Sequence, residues 1–256
     1  MSHLHFLDPN PDGMVPVLLL HGMGASGESW SLQFPALIES GFRPLAPDVP
    51  GFGQSPICGK TWTVGEAAAE IMHALQEMNS GTVHVVGLSM GGVIAQQIAR
   101  DFPLQTRKLV LVSTFARLQP DSISGWFYFL RRAMALAMRG MPAQAAVVAR
   151  RVFPHPEQEL LREMLEENIL RSDPHAYRRA MLALGRFDSS KWLGQLKQPV
   201  MVVTGNRDTT VSPKLQQKLV EKIPGARHII IEGGGHAVPV DQADQFNQLL
   251  LEFLHE

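Results

Sequence analysis

The stretch "VHVVGLSMGGVIAQQIAR", residues 83–100, carries a single serine, Ser89, between Gly87 and Gly91, where an apolar run gives way to a helical pattern. The run up to Leu88 reads as a buried strand and the segment from Met90 as a helix, so Ser89 falls on the turn between them. A sharp strand-to-helix turn forces its central residue into strained backbone, and glycines two positions to either side leave room for neighbouring backbone. That is the context a nucleophilic serine requires, although GxSxG spacing alone is short enough to arise by chance.

Five further apolar runs flank this one, at 15–20, 43–48, 108–113, 199–205 and 227–233. Their valine, isoleucine and leucine are nearly continuous rather than alternating, as in strands buried on both faces of a parallel sheet. Helical patterns lie between them at 64–79, where Thr63 and Glu66 have capping-box spacing, at 214–222 and at 241–254. Strand then helix, repeated, predicts an α/β fold: an open, mostly parallel, doubly wound sheet with right-handed crossovers. The rhythm stops between Thr114 and Trp192, where four helical patterns are separated by "RGMP", "FPHP" and "RSDP". An all-helical cap over 114–192 is therefore expected, inserted into a core made of 1–113 and 193–256.

The 256 residues are 45% hydrophobic, enough for one folding unit with such an insertion. With 23 basic and 24 acidic side chains the net charge is -1, which lacks the electrostatic footprint of a nucleic-acid partner. The lone cysteine, Cys58, excludes an internal disulfide framework and fits a reducing compartment. The opening "MSHLHFLDPNPDG" has no signal-peptide pattern, and the apolar stretch 126–153 is broken by Arg131, Arg132, Arg139 and Arg150, so no membrane span is expected. A cytoplasmic location follows as the expectation. No ligand cluster for a metal or cofactor is evident, and none is expected.

A serine hydroxyl needs a base, and the base needs an orienting carboxylate. Of the ten histidines, His236 in "IIIEGGGHAVPVD" stands out: it follows the last strand on a loop freed by three glycines. Asp208 in "VVTGNRDTTVSP" stands just past the next-to-last strand, which gives the chain order serine, aspartate, histidine. Asp48 also ends a strand but precedes Ser89, and it reads as a side chain that satisfies turn amides. Asp188 reads as a turn residue, Asp241 as a helix N-terminal residue, and His21 as structural. The glycine-rich loop after "LLLHG" can present the Met23 N–H opposite the Met90 N–H, two donors suited to an oxyanion hole.

With HGMG at 21–24, DVPGFGQS at 48–55, GLSMGG at 87–92, GNRDTTVSP at 205–213 and GGGHAVP at 233–239, the chain resembles the α/β-hydrolase fold superfamily along nearly its full length. The resemblance implies Ser89 as nucleophile, His236 as base, Asp208 as its orienter, and the Met23 and Met90 amides as oxyanion hole. A helical cap after the sixth family strand also matches. Only "LHFL" precedes the 15–20 strand, where many members begin with a hairpin, so an edge strand is expected to be missing.

The serine argues against the dehalogenase and epoxide hydrolase branches, which place aspartate at that position. Carbon–carbon bond hydrolases commonly have tryptophan after the histidine, where this chain has Ala237. The activity expected is hydrolysis of small to medium carboxylic esters through an acyl-serine. Carbon–carbon bond or lactone hydrolysis, a lipase and a carboxylesterase acting on an acyl-carrier-protein ester stand as alternatives on the same fold, and a non-enzymatic ligand receptor as a further one. The acyl-carrier reading draws on 11 arginines and 7 acidic residues between Arg117 and Arg186; pairs such as Arg162 with Glu166 offer a plainer use for them. An apolar pocket is expected from Gly22, Trp126, Phe129, Met134, Val211 and Ala237.

Overall fold

The computed structural model describes residues 3–57, 61–118, 127, 130, 134 and 140–256. Seven strands form one sheet: β1 (Phe6–Leu7), β2 (Val15–Leu20), β3 (Phe42–Pro47), β4 (Val83–Leu88), β5 (Thr106–Val112), β6 (Val200–Gly205) and β7 (Arg227–Ile231). Their spatial order is β1-β3-β2-β4-β5-β6-β7, with every neighbouring pair parallel except β1 with β3. The short "LHFL" segment supplies one antiparallel edge strand, pairing Phe6 with Pro47 and Leu7 with Ala46, so among the described residues a single strand stands where many members have a two-stranded hairpin. Two residues of ladder suffice because the strand only has to cover the β3 edge.

The unbroken hydrophobicity of the central strands has a simple cause: successive side chains enter two different cores. Leu18, Val85, Leu109, Leu111 and Val202 pack on one face with helices α2 (Val64–Glu77) and α3 (Met90–Asp101). Val17, Leu19, Val86, Val110, Met201 and Val203 pack on the other with α1 (Phe34–Glu39) and the C-terminal helix, whose Phe246, Leu250 and Phe253 are buried. Thr63 caps α2 by accepting the Glu66 N–H at 3.1 Å, while the Glu66 carboxylate takes the Thr61 hydroxyl at 2.6 Å.

Between β5 and β6 the described chain is helical: α4 (Gly140–Val152), α5 (Glu159–Arg171) and α6 (Pro174–Arg186). Its base is continuous with the first core through Ala145, Ile169, Ala176 and Tyr177. A Cβ on Gly24 would come 2.4 Å from Ile169 Cγ1 and one on Gly51 2.2 Å from Ala176 Cβ, so these two loop glycines are what lets α5 and α6 rest on the sheet's carboxyl edge. The ends of the insertion are tied together. Ser189 donates its N–H to Ala116 O and its hydroxyl to Gln96 Oε1, and Gln96 Nε2 donates to Phe115 O. After β6 come α7 (Pro213–Val220), the short α8 (Val238–Asp241) and α9 (Ala243–His255). No helix among the described residues is long and apolar enough to cross a membrane.

The parallel register aligns the strand ends, pairing Leu20 with Gly87, Val112 with Val203 and Gly205 with Ile231. The loops after β2, β4, β6 and β7 therefore meet at one edge. The chain turns towards β3 after β2 and towards β5 after β4, so the crevice between β2 and β4 is the topological switch point, where ligands bind in open α/β sheets.

Candidate active site

Ser89 stands at that switch point with φ 54° and ψ -110°. Its backbone is held there from three sides: the N–H donates to Val112 O at 2.9 Å, and the carbonyl accepts the Val93 N–H at 3.1 Å and the Thr114 hydroxyl at 2.8 Å. The flanking glycines are obligatory by contact. A Cβ on Gly87 would lie 2.3 Å from Gly91 O, and one on Gly91 2.0 Å from Leu20 O. Such a backbone stores on the order of 1–3 kcal/mol of strain, which surrounding bonds must hold in place. Met90 is the first residue of α3, so its N–H has no intrahelical acceptor and sits at the positive end of the helix.

Asp208 and His236 are brought together by the β6 and β7 loops. His236 Nδ1 donates to Asp208 Oδ2 at 2.9 Å, with 7% of His236 and 4% of Asp208 exposed. The other carboxylate oxygen accepts the N–H groups of Thr210 (2.8 Å) and Val211 (2.9 Å), and Gln216 Nε2 donates to Oδ2 at 3.0 Å. Four donors thus satisfy a carboxylate, which fixes its orientation. Gln216, from α7, escaped sequence reasoning. Its spacing of eight residues from Asp208 across a turn and a helix start carries no local signal.

Other residues take the places expected of them on structural grounds. Asp48 accepts the Gly27 N–H (2.7 Å) and the Gln54 N–H (2.8 Å) and meets His5 Nδ1 at 3.1 Å. His21 accepts the Val49 N–H on Nε2 and donates from Nδ1 to Gly22 O; burial pushes its pKa down. Asp188 holds a turn by accepting the Ser190 N–H at 3.0 Å. Two readings are corrected. Asp241 is the last residue of α8 and caps no helix; its side chain turns back to accept the Gly235 N–H at 3.1 Å. Arg162 donates to the carbonyls of Phe153 and His155, where it closes the chain ahead of α5 instead of pairing with Glu166.

Ser89 and His236 line one largely apolar cavity of about 200 Å³. Gly22, Met23, Val211 and Ala237 line it from the core, and Val148, Val152, Phe153, Leu161, Leu165 and Leu184 from the cap. Met90 is fully buried and outside this lining. Met134, expected in the pocket, is instead 50% exposed and outside this lining; Trp126 and Phe129 lie outside the described residues. The cap contributes to the cavity through the inner faces of α4 to α6. Apolar richness drew attention to its first part, but richness does not tell which face of an amphipathic helix turns inward. Among the described residues no group of three or more His, Cys, Asp or Glu side chains could hold a metal ion.

A mostly parallel sheet of this strand order, with a strained serine after β4 and an aspartate–histidine pair on the loops after β6 and β7, defines a class of hydrolase. The sequence matches the alpha/beta hydrolase fold family over residues 15–243, and the chain belongs to that family. It is 28% identical over 98% of its length to the RutD protein of Variovorax paradoxus (strain S110), which carries a carbamate-hydrolase name, covering 96% of that protein. It is 27% identical over 93% of its length to a 2-hydroxy-6-oxononadienedioate/2-hydroxy-6-oxononatrienedioate hydrolase of a Pseudomonas species, covering 87% of it. Among solved structures, a thermophilic esterase from Thermogutta terrifontis superposes with a TM-score of 0.84 at 28% identity, over 98% of this chain and 93% of that one.

Proposed function

We infer that this hydrolase cleaves carboxylic esters of small to medium size through an acyl-serine. The observation that carries the reading is the buried Asp208–His236 hydrogen bond on the rim of a cavity that Ser89 also lines. His236 Nε2, the nitrogen not engaged by Asp208, takes the Ser89 proton as Oγ bonds to the ester carbonyl carbon. Negative charge then develops on the carbonyl oxygen, and the Met23 and Met90 N–H groups receive it. The imidazolium returns its proton to the alkoxide as the carbon–oxygen bond breaks. A water deprotonated by His236 attacks the acyl-serine next, and the acid and free serine are released. Asp208 keeps the imidazole in the required tautomer and stabilises its charged form.

Lining the cavity, Val148, Val152, Leu161 and Leu184 suit an apolar acyl group, and its volume favours short to medium chains. Carbamates are the second reading, because RutD aligns along almost all of both chains. Attack on a carbamate carbonyl uses the same groups. Ala237, in place of an aromatic residue after His236, favours either over carbon–carbon cleavage. The test is a panel of p-nitrophenyl esters from acetate to decanoate, alkyl carbamates and vinylogous diketones, assayed with wild type and Ser89→Ala. Ester turnover that vanishes in Ser89→Ala supports the reading; ester hydrolysis at the wild-type rate in that variant would overturn it.

A further inference from the structure

The loop that carries His236 has three consecutive glycines, Gly233 to Gly235, and hence no side chains of its own to hold it. It is held through its peptides. The Gly233 N–H donates to Asn206 Oδ1 (2.8 Å), Gly234 O accepts the Arg207 N–H (2.9 Å), and the Gly235 N–H donates to Asp241 Oδ2 (3.1 Å). The anchor nearest to His236 is therefore a carboxylate, and its second oxygen points away from the core: Gln158 of the cap donates Nε2–H to Asp241 Oδ1 at 2.9 Å. The Asp241 side chain thus joins cap and histidine loop.

Asp241 also borders a second cavity, of about 390 Å³ and polar, which shares His236 with the apolar one. Arg151 on α4, His155 and Glu157 ahead of α5, and Arg207 after β6 line it as well, and the charge of Asp208 acts on Asp241. Burial holds the Asp241 carboxyl above the ordinary carboxylate range, opposed by the Gly235 N–H and by the electrostatic influence of His236 and His155.

We propose that Asp241 is a positioning residue for His236, which fixes the glycine loop through the Gly235 N–H and couples it to the cap through Gln158. The proposal rests on the ester-hydrolase reading only for its kinetic arm. Gln158 holds Asp241 from the cap, and Asp241 in turn holds the glycine loop. The carboxylate charge further favours the imidazolium that forms during attack.

The experiment compares wild type with Asp241→Ala, Asp241→Asn and Gln158→Ala. Amide hydrogen exchange over 233–236 needs no substrate. Asp241→Ala and Gln158→Ala are expected to quicken it at Gly235 by about 10-fold or more, while Asp241→Asn, which keeps an acceptor, changes it less. On a short soluble ester, Asp241→Ala should lower kcat by about 10-fold with KM within about 3-fold, and Gln158→Ala should lower it less. Asp241→Asn should move the acidic limb of the kcat profile to lower pH, a readout that a purely structural role leaves in place. If Asp241→Ala does not fold, Asp241→Asn and Gln158→Ala decide. Wild-type exchange, kcat and pH profile in both would overturn the proposal, as would a lowered melting temperature with all three unchanged. A wild type that turns over no ester overturns the ester reading instead, and exchange alone then decides the anchor.

Discussion

Gln216 Nε2 and His236 Nδ1 donate to the same oxygen, Asp208 Oδ2, at 3.0 and 2.9 Å. The amide is itself fixed, since Nε2 also donates to Val211 O at 2.8 Å, and the side chain is fully buried. A carboxylate with one oxygen on two backbone N–H groups and the other on Gln216 and His236 cannot rotate without breaking several bonds at once.

Gln216→Ala should therefore loosen Asp208 and, through it, His236. A hydrogen bond to a charged group contributes about 1.5–3 kcal/mol, so kcat on a soluble ester is expected to fall by about 10-fold with KM little changed. Urea unfolding run alongside separates the two roles of the residue. Loss of stability with kcat intact would mean that Gln216 only fills space.

The serine turn sets stability against activity. Ser89 adopts φ 54° and ψ -110°, a conformation that glycine reaches without steric cost. Ser89→Gly should raise stability by about 1 kcal/mol, read as a melting temperature higher by about 2–4 °C in a chain of this size, while abolishing acylation. Gly91→Ala should do the reverse and cost several kcal/mol, because its Cβ would meet the Leu20 carbonyl at 2.0 Å. A Ser89→Gly protein less stable than wild type would show that the turn is not strained.

The two outcomes mark how far the sequence could be read. Strand runs and glycine spacing are local signals, so the sheet, the turn at Ser89 and the residues Asp208 and His236 were visible in one dimension. Gln216 and Asp241 were not, because their partners are chosen by tertiary packing of polar side chains that have no periodicity. The cap's inward faces were equally hidden: Val148, Leu161 and Leu184 contribute to the cavity by helix rotation, and the apolar pattern admits more than one rotation. Even "LHFL", too short to suggest pairing by itself, becomes a strand only because β3 offers an edge.

At the other end of the sheet His84 is buried beside Phe42, and its Nδ1 has no hydrogen-bond partner among the described residues. Burial, with Arg107 and Lys108 adding to it, pushes its pKa down to about 4 from the ordinary 6.5. The fold thus prefers the neutral ring. Below pH 6.5 the unfolded chain takes up a proton that the folded chain refuses, so this contribution is complete above about pH 6.5 and is lost as pH falls towards about 4. His84→Leu should flatten that part of the pH–stability curve, measured as urea midpoints between pH 4.5 and 7.5. An unchanged slope would assign the acid sensitivity to other groups.

The cap wall should set acyl length. Val148 on α4 is 7% exposed and lines the apolar cavity without touching the polar one, so enlarging it removes acyl space and leaves the Asp241 side intact. Val148→Phe displaces roughly two methylenes of substrate, at about 0.8 kcal/mol each. The ratio of kcat/KM for octanoate over acetate esters is then expected to fall by about 10-fold. Overpacking adds a stability cost of about 1–3 kcal/mol, which thermal unfolding would register separately. Because acetate needs none of the displaced volume, its kcat/KM should stay within about 2-fold of wild type. If both esters fell together, the substitution would have disturbed the serine and histidine loops, and the acyl chain would lie elsewhere than between α4 and α5.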